Sequence, residues 1–207
     1  MDKNASNFTI FLPVKNGGEY LPLCVASILA QTYQDFELVI LENQSTDGTA
    51  EWLQTLEKKD PRIKVIPSSS PLSIEDNWKR ILTVPKNKYM TIIGHDDMLE
   101  ADFLAEINTL IQGDPEASLY QTHFKLIDNE GNMIRLCKPI PKYETAAEFL
   151  ASRMAEIRDS FGTGYVMRSN HYEQIGGIPI ISDLLYADDA LWLGLMGTSL
   201  KVTSPRI

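Results

Sequence analysis

The chain has 207 residues, of which 43% are hydrophobic and 23% are charged, and its formal net charge at pH 7 is −9. This composition is that of an ordinary globular protein and favours neither disorder nor a membrane-spanning segment. The acidic excess argues against a nucleic-acid-binding surface, since phosphate contacts need clustered cations, so no nucleic-acid partner is expected.

Apolar runs and helix-periodic segments alternate along the first half of the chain. The runs that predict buried strands cover residues 8–14, 36–41, 63–66 and 89–93. Apolar positions three and four residues apart predict helices over about 19–31, around 52–56, over 73–82 and over about 101–112. This repeated alternation of strand and helix is typical of a parallel, doubly wound sheet.

The pattern changes after residue 114. Residues 119–127 and 133–136 flank the turn-forming segment 128–132 and predict an antiparallel hairpin. A capping box at Thr145 and Glu148 predicts the start of a helix, and a short strand, a helix and a last strand are predicted over 165–167, 187–195 and 200–202. The expected fold class is therefore α/β, with a mostly parallel sheet, helices on both faces and a smaller antiparallel portion.

Acidic side chains follow two of the predicted strands. Glu42 follows the second strand, and Asp96 and Asp97 follow the fourth. Ligands of open α/β sheets bind beyond the carboxyl ends of the strands, where two adjacent carboxylates repel each other unless a cation compensates. The pattern favours a nucleotide-diphosphate site with a metal ion, whereas an Asp-Asp turn that caps the next helix is the alternative for the pair.

Four segments occur in a diagnostic order. They are Pro13-Val14-Lys15-Asn16, residues 31–40, Ser45-Thr46-Asp47-Gly48-Thr49 and Gly94-His95-Asp96-Asp97. As an ordered set they resemble family 2 glycosyltransferases with the GT-A fold, and the resemblance runs from about Phe8 to the end of the chain. The GT-A fold is therefore the expected architecture.

The resemblance assigns roles in binding a donor. In that family the acidic residue after the second strand contacts the nucleobase, and a DXD-type motif binds the ribose and the metal-diphosphate. The implied nucleotide-binding residues are Pro13, Val14, Asn16, Glu42, Asn77 and Asp96. The implied ligands of Mg²⁺ or Mn²⁺ are Asp97 and Asp96. Glu42 stands where Asp is usual, and Gly94 stands at the position of the motif's first Asp.

Asn77 lies at a predicted helix start, next to Lys79 and Arg80. The two cations could reach a phosphate from there, but a solvated helical face is the alternative interpretation of the three residues.

A catalytic base is implied by the segment 187–193, which resembles the family's Glu-Asp helix. One alignment places the base at Asp188, which we prefer, and the other places it at Asp189. Acidic residues at a helix start also suit the helix dipole, which is the structural alternative. A sugar hydroxyl is a very weak acid, so a carboxylate must remove its proton during attack, and direct displacement inverts the anomeric centre.

The segment Gly162-Thr163-Gly164 matches the family's acceptor-side loop, where small residues leave room for substrate. Glycine there could also simply satisfy a turn.

The expected function is metal-dependent, inverting transfer of a sugar from a nucleotide-diphosphate donor, a UDP-sugar, to a hydroxyl acceptor. The acceptor would be a glycan or a lipid-linked molecule in polysaccharide or glycolipid synthesis. Two alternatives are a sugar-nucleotide-forming nucleotidyltransferase and a non-catalytic nucleotide-sugar-binding domain. The first would need a Gly-rich, basic phosphate loop, for which residues 15–18 are a faint candidate.

One domain is expected over residues 1–207, with a nucleotide-sugar-binding half over about 8–114 and an acceptor-side half over about 115–207. The family usually continues further, so a C-terminally truncated chain is expected. The first residues lack the order of a signal peptide, which favours a cytoplasmic location. Peripheral association with the inner membrane face is implied by the resemblance.

Overall fold

The first half of the chain alternates between strands and helices as predicted. The structure, a computed structural model, describes residues 7–181 and 185–207. Its first strands are β1 (Phe8–Val14), β2 (Phe36–Glu42), β3 (Ile63–Pro67) and β4 (Tyr89–Ile92). The helices that alternate with them are α1 (Tyr20–Leu29), α2 (Thr49–Glu57), α3 (Ile74–Lys79) and α4 (Phe103–Gly113), with a 3₁₀ turn at Arg80–Thr83.

The second half contains short strands and three further helices within the described ranges. Its strands are β5 (Leu119–Thr122), β6 (Lys125–Ile127), β7 (Met133–Leu136), β8 (Tyr143–Glu144), β9 (Tyr165–Arg168) and β10 (Lys201–Ser204). Its helices are α5 (Ala146–Met154), α6 (Ser169–Gln174) and α7 (Ala187–Met196). No helix in the described parts of the chain is long and apolar enough to cross a bilayer.

Eight of the described strands form one sheet in the order β3-β2-β1-β4-β9-β5-β10-β8. β1 pairs in parallel with both β2 and β4, and β10 pairs in parallel with β5. β9 lies between β4 and β5 and is antiparallel to both. The mostly parallel, doubly wound sheet is therefore confirmed, and the second half of the chain contributes strands to that same sheet.

Each face of the sheet is covered by its own hydrophobic core. In β1, Ile10 and Leu12 face the core that α1, α2 and α4 complete, whereas Phe11 faces the core that α5, α6 and α7 complete. Successive side chains of a strand point to opposite faces, so a strand buried on both sides reads as a continuous apolar run. This explains why the first strands were visible in the sequence.

The prediction of one strand over residues 119–127 is wrong. Leu119–Thr122 joins the main sheet as β5, and only Lys125–Ile127 pairs with Met133–Leu136 to form the hairpin. The chain leaves the main sheet at Phe124, whose ring packs edge-on against Phe161 with the centroids 5.7 Å apart. Two strands of different sheets therefore follow each other without a turn signal between them.

Two helices begin at a side-chain cap, and the two caps differ in completeness. Ser73 caps α3 by accepting a hydrogen bond from the backbone N–H of Asp76 at 3.1 Å. Thr145 and Glu148 form the full reciprocal box at the start of α5.

A buried charged cluster lies in the second half of the chain, next to β8 and β10. Glu144 of β8 is 1% exposed and pairs with Lys201 Nζ of β10 at 2.9 Å and with Arg158 Nη1 at 2.8 Å. Lys201 also donates to Gln121 Oε1 at 2.8 Å. Burial lowers the pKa of Lys201 to about 8, against the opposing effect of Glu144. One carboxylate thus balances two buried cations.

We expect replacement of Glu144 by glutamine to destabilise the fold by about 3–5 kcal/mol, because two buried cations would lose their counter-charge. Urea unfolding measures this difference. Glu116→Gln is the matched control, since Glu116 is exposed and should change the unfolding free energy by less than about 0.5 kcal/mol. Equal unfolding free energies of the two variants would show that Glu144 does not compensate the charges of Lys201 and Arg158.

Candidate active site

The predicted donor residues meet at the carboxyl edge of the parallel strands. β1 lies between β2 and β4, with Val14 paired to Glu42 and Phe11 paired to Ile92. Glu42 ends β2, and Asp96 and Asp97 follow β4 by a few residues. The topology therefore brings the three acids to one side of the sheet, in the position where α/β sheets bind ligands.

The Asp96 and Asp97 carboxylates fold back over Gly94. A Cβ atom at residue 94 would lie 2.8 Å from Asp96 Oδ1 and 3.0 Å from Asp97 Oδ2, so both oxygens approach one point. Any side chain at residue 94 would displace one or both carboxylates. Gly94 therefore leaves room for this arrangement of the two carboxylates.

This pair suits a hard divalent cation. Mg²⁺ and Mn²⁺ prefer carboxylate oxygens, and such an ion on a nucleotide diphosphate uses one or two protein carboxylates. The convergence of the Asp96 and Asp97 oxygens over Gly94 meets that requirement. Across residues 7–181 and 185–207, no group of three or more His, Cys, Asp or Glu side chains is placed to hold a metal.

Asp97 is held by the loop that was predicted to face the acceptor. The Thr163 hydroxyl donates a hydrogen bond to Asp97 Oδ2 and accepts one from the Gly94 N–H at 3.1 Å. Burial of the carboxyl group raises the pKa of Asp97, the Thr163 hydrogen bond opposes that rise, and the neighbouring Asp96 adds to it. Thr163 therefore contacts the predicted metal ligand.

Of the two glycines beside Thr163, only Gly164 has a backbone conformation that favours glycine. Gly164 has φ 93°, a left-handed conformation that favours glycine. A Cβ at Gly162 would only make an ordinary contact with Trp78 at 3.9 Å. The turn interpretation thus accounts for Gly164.

Glu42 is 3% exposed, and its carboxylate is oriented by the loop that follows β2. Oε1 accepts a hydrogen bond from the Ser45 N–H at 2.6 Å. The Glu42 carbonyl accepts from the Ser68 N–H at 2.9 Å and from Arg80 Nη1 at 3.0 Å. The longer side chain found here in place of Asp is thus fixed at the end of the strand.

The loops after β1 and β2 are tied to each other. The backbone N–H groups of Asn16, Gly17 and Gly18 donate to Ser45 Oγ, Thr49 Oγ1 and Asp47 Oδ2, at 2.9, 3.0 and 3.2 Å. These N–H groups are therefore engaged within the protein, which argues against residues 15–18 as a phosphate loop.

The side chains assigned to the nucleotide in the first loop also make protein contacts. Asn16 Oδ1 accepts from the Thr46 N–H at 2.8 Å, and Pro13 and Val14 are buried at the end of β1. Two of the four ordered segments, Pro13–Asn16 and Ser45–Thr49, thus meet in one connected pair of loops beside the strand ends.

Asn77 lies beneath the end of β2. It is 4% exposed, its Nδ2 donates to the Leu41 carbonyl at 3.2 Å, and its Oδ1 accepts from Arg80 at 2.8 Å. A solvated helical face is therefore wrong for Asn77, and Arg80 is itself half-buried, whereas Lys79 is exposed and pairs with Asp76. The structure gives Asn77 a supporting role under Glu42, and its nucleotide contact stays a prediction.

The two acids at the start of α7 have different surroundings. Asp189 is buried, and both of its oxygens accept from Arg153 of α5, with Nη2 2.8 Å from Oδ2. This contact raises the pKa of Arg153. Asp188 is half-buried, and its Oδ1 accepts from the Asp189 N–H at 2.9 Å. Burial raises the pKa of Asp188, and within the described residues it forms no ion pair.

α7 packs against the strand that follows the Thr163 loop. Trp192 of α7 stacks on Tyr165 with ring centroids 4.2 Å apart and an interplanar angle of 22°. Tyr165 is the first residue of β9, two residues after Thr163. The start of β9 therefore supports both α7, which carries the two candidates for the base, and the Thr163 contact with Asp97.

The sequence patterns do not single out Arg153, although it fixes the start of α7. Arginine in the last turn of an amphipathic helix is usually exposed, and its partner lies 36 residues away. The sequence offers one indication of this ion pair, which is an arginine in the helix that precedes the Asp188–Asp189 pair.

The family comparison agrees with this geometry. The model described as Glycosyl transferase family 2 matches residues 9–173. The chain belongs to glycosyltransferase family 2. This family 2 chain is 27% identical over 190 residues to the putative teichuronic acid biosynthesis glycosyltransferase TuaG of Bacillus subtilis, and the match covers 91% of this chain and 71% of TuaG. The match covers only 41%, 53% and 39% of three other curated relatives, about half of their length or less.

Solved structures share the fold of this family 2 chain. S. aureus TarS 1–349 gives a TM-score of 0.73 at 16% identity, covering 96% of this chain and 57% of TarS 1–349. The mannosyltransferase PcManGT from Pyrobaculum calidifontis, in complex with GDP-Man and Mn²⁺, gives a TM-score of 0.69 at 16% identity. The match covers 96% of this chain and 55% of PcManGT. The predicted GT-A fold is confirmed.

Proposed function

We propose that this chain binds a nucleoside-diphosphate sugar together with Mg²⁺ or Mn²⁺ and transfers the sugar, with inversion, to a hydroxyl acceptor. The observation that carries the proposal is the convergence of the Asp96 and Asp97 carboxylates over Gly94, at the sheet edge that also holds Glu42. Membership of glycosyltransferase family 2 supports the same reaction class.

The donor contacts follow from the position of each acid. Glu42 is the proposed nucleobase contact, since it ends the strand next to β1 and its carboxylate is fixed by the Ser45 N–H. Asp96 contacts the ribose or shares the metal, and Asp97 is the metal ligand. A UDP-sugar is the proposed donor, and a structure of TarS 1–349 in complex with UDP-GlcNAc supports that choice.

Asp97 and Asp96 would hold the divalent ion, which supplies positive charge against the departing diphosphate when it is bound. Their two oxygens already face one point, so little reorganisation is needed to accept a cation. The Thr163 hydroxyl supports this arrangement, because it donates to Asp97 Oδ2 and accepts from the Gly94 N–H.

Asp188 is the proposed catalytic base. Its carboxylate takes the proton of the acceptor hydroxyl while that oxygen forms a bond to the anomeric carbon and the bond to the diphosphate oxygen breaks. Attack from the side opposite the diphosphate inverts the anomeric centre. The raised pKa of Asp188 makes it a stronger base than an ordinary aspartate.

The proposed acceptor is a hydroxyl-bearing glycan or lipid-linked molecule in polysaccharide or glycolipid synthesis. The similarity to TuaG, a putative teichuronic acid biosynthesis glycosyltransferase, supports this class.

Calorimetric titration with UDP and GDP, with and without Mn²⁺, tests the donor site. We expect binding that depends on Mn²⁺ and that Asp97→Asn weakens by at least about tenfold, because the variant loses a charged metal ligand. Asp102→Asn is the matched control, since Asp102 is exposed and makes no side-chain cap at the start of α4. Absence of Mn²⁺-dependent heat with either nucleotide, in folded protein, would contradict the proposal.

A further inference from the structure

The Thr163 hydroxyl makes two contacts in the site. It accepts a hydrogen bond from the Gly94 N–H at 3.1 Å and donates its own proton to Asp97 Oδ2. A hydroxyl has one proton to donate, so this proton is committed to the Asp97 carboxylate. The contact joins residues 66 positions apart in the sequence.

The sheet topology explains why Thr163 lies there. β4 and β9 are antiparallel, with Tyr89 opposite Arg168 and Thr91 opposite Val166. The same register, continued for three residues past Thr91, places Thr163 opposite Gly94. The Thr91 hydroxyl also donates to the Tyr165 carbonyl at 2.7 Å, which holds the end of this strand pair together.

Asp97 needs such a partner because it lies on the loop after β4, where the residue as a whole is exposed although its carboxyl group is partly enclosed. A free carboxylate in this position would sample several rotamers and turn towards solvent. The Thr163 hydrogen bond restricts that motion and keeps Oδ2 near the point on which Asp96 Oδ1 also converges. Hydrogen bonds to metal-binding side chains have this orienting effect in general.

We propose that Thr163 is a positioning residue that orients the Asp97 carboxylate for the divalent metal and thereby joins the 162–164 loop to the donor site. This role rests on the proposed function and adds to it a residue that the sequence assigned only to the acceptor side. Threonine and serine satisfy the requirement, whereas valine, of nearly equal shape, does not.

Titration of Mn²⁺ into the protein in the presence of UDP, followed by calorimetry, tests this role. We expect Thr163→Val to weaken Mn²⁺ binding by about tenfold and Thr163→Ser to restore it to near the unaltered value, because only the hydroxyl orients the carboxylate. Thr109→Val is the matched control, since the hydrogen bond that the Thr109 hydroxyl makes within the described residues goes to a carbonyl of its own helix α4. Thermal unfolding of each variant measures stability separately.

The outcomes separate the two proposals. Unaltered protein that binds Mn²⁺ with UDP, together with a folded Thr163→Val variant that binds it equally well, would overturn the role of Thr163 alone. Unaltered protein without Mn²⁺-dependent binding to UDP or GDP would overturn the proposed function, and this role with it. If the valine variant does not fold, Thr163→Ala replaces it, and the same weakening with rescue by serine is expected.

Discussion

Replacing Asp188 by asparagine is expected to abolish sugar transfer while leaving nucleotide binding close to that of the unaltered protein. Asparagine has a similar shape but cannot take a proton, so the loss should reach about a hundredfold to ten-thousandfold. Within the described residues, no hydrogen bond or ion pair joins Asp188 of α7 to Asp96 or Asp97, so the affinity for the nucleotide should persist. Turnover with a UDP-sugar and Mn²⁺, measured beside UDP titration, checks both parts.

The pH dependence of transfer should report the same group. Burial raises the pKa of Asp188, and a base works only in its deprotonated form. Activity should therefore be complete at pH values above this pKa and fall as the pH is lowered through it, at a higher pH than an ordinary aspartate would give. The residual activity of Asp188→Asn should not show the fall that protonation of residue 188 causes. Protonation of Asp97 weakens nucleotide binding, so a separate loss of activity at low pH remains.

Asp189→Asn provides the comparison for Asp188→Asn. Its carboxylate is buried against Arg153, so the substitution should lower the stability of the fold and loosen α7. Unchanged turnover in Asp188→Asn, with a large loss in a folded Asp189→Asn variant, would move the base to Asp189.

Adding a single methyl group at Gly94 is expected to impair metal binding as strongly as losing a ligand would. The Cβ of Gly94→Ala would lie 2.8 Å from Asp96 Oδ1, shorter than real Cβ contacts, and 3.0 Å from Asp97 Oδ2, which is tighter than most of them. At least one carboxylate must therefore shift, and we expect Mn²⁺ affinity in the presence of UDP to fall by about tenfold or more. Calorimetry measures the affinity.

Gly113→Ala is the matched control for this substitution. A Cβ at Gly113 would meet no atom within 4 Å, so this variant should bind Mn²⁺ like the unaltered protein. Equal affinity of Gly94→Ala and Gly113→Ala would show that the carboxylates tolerate displacement and do not act together on one ion.

The strands and helices of the first half were predictable because each carries its own local signal. The strand over 36–41 is apolar except at Glu37, because the rest of it is buried, and Thr145 and Glu148 indicate a helix start through their capping box. The prediction over 119–127 is wrong because this segment has the mixed polar and apolar pattern of a single strand, although it supplies β5 to the main sheet and β6 to the hairpin. Only the pairing partners, β10 and β7, distinguish the two.

The acids of the candidate site were visible as acidic ends of apolar strands, and the loop motifs in order pointed to the family. The contacts that orient these acids were not visible. Thr163 reaches Asp97 through the register of β9 against β4, and Arg153 reaches Asp189 through the packing of α5 on α7. Asn77 looked exposed since its burial depends on the end of β2. Such contacts follow from tertiary packing, which no local pattern encodes.

The position of β9 between β4 and β5 also determines when the main sheet can be completed during synthesis. When β4 has emerged from the ribosome, its second edge stays open until residues 165–168 follow, and an open edge strand invites pairing with other chains. Closing so long a loop slows folding relative to the local strand-helix units. The nascent protein therefore passes through a stage in which it is open to misassembly, and a fragment that ends at residue 114 would remain in that stage.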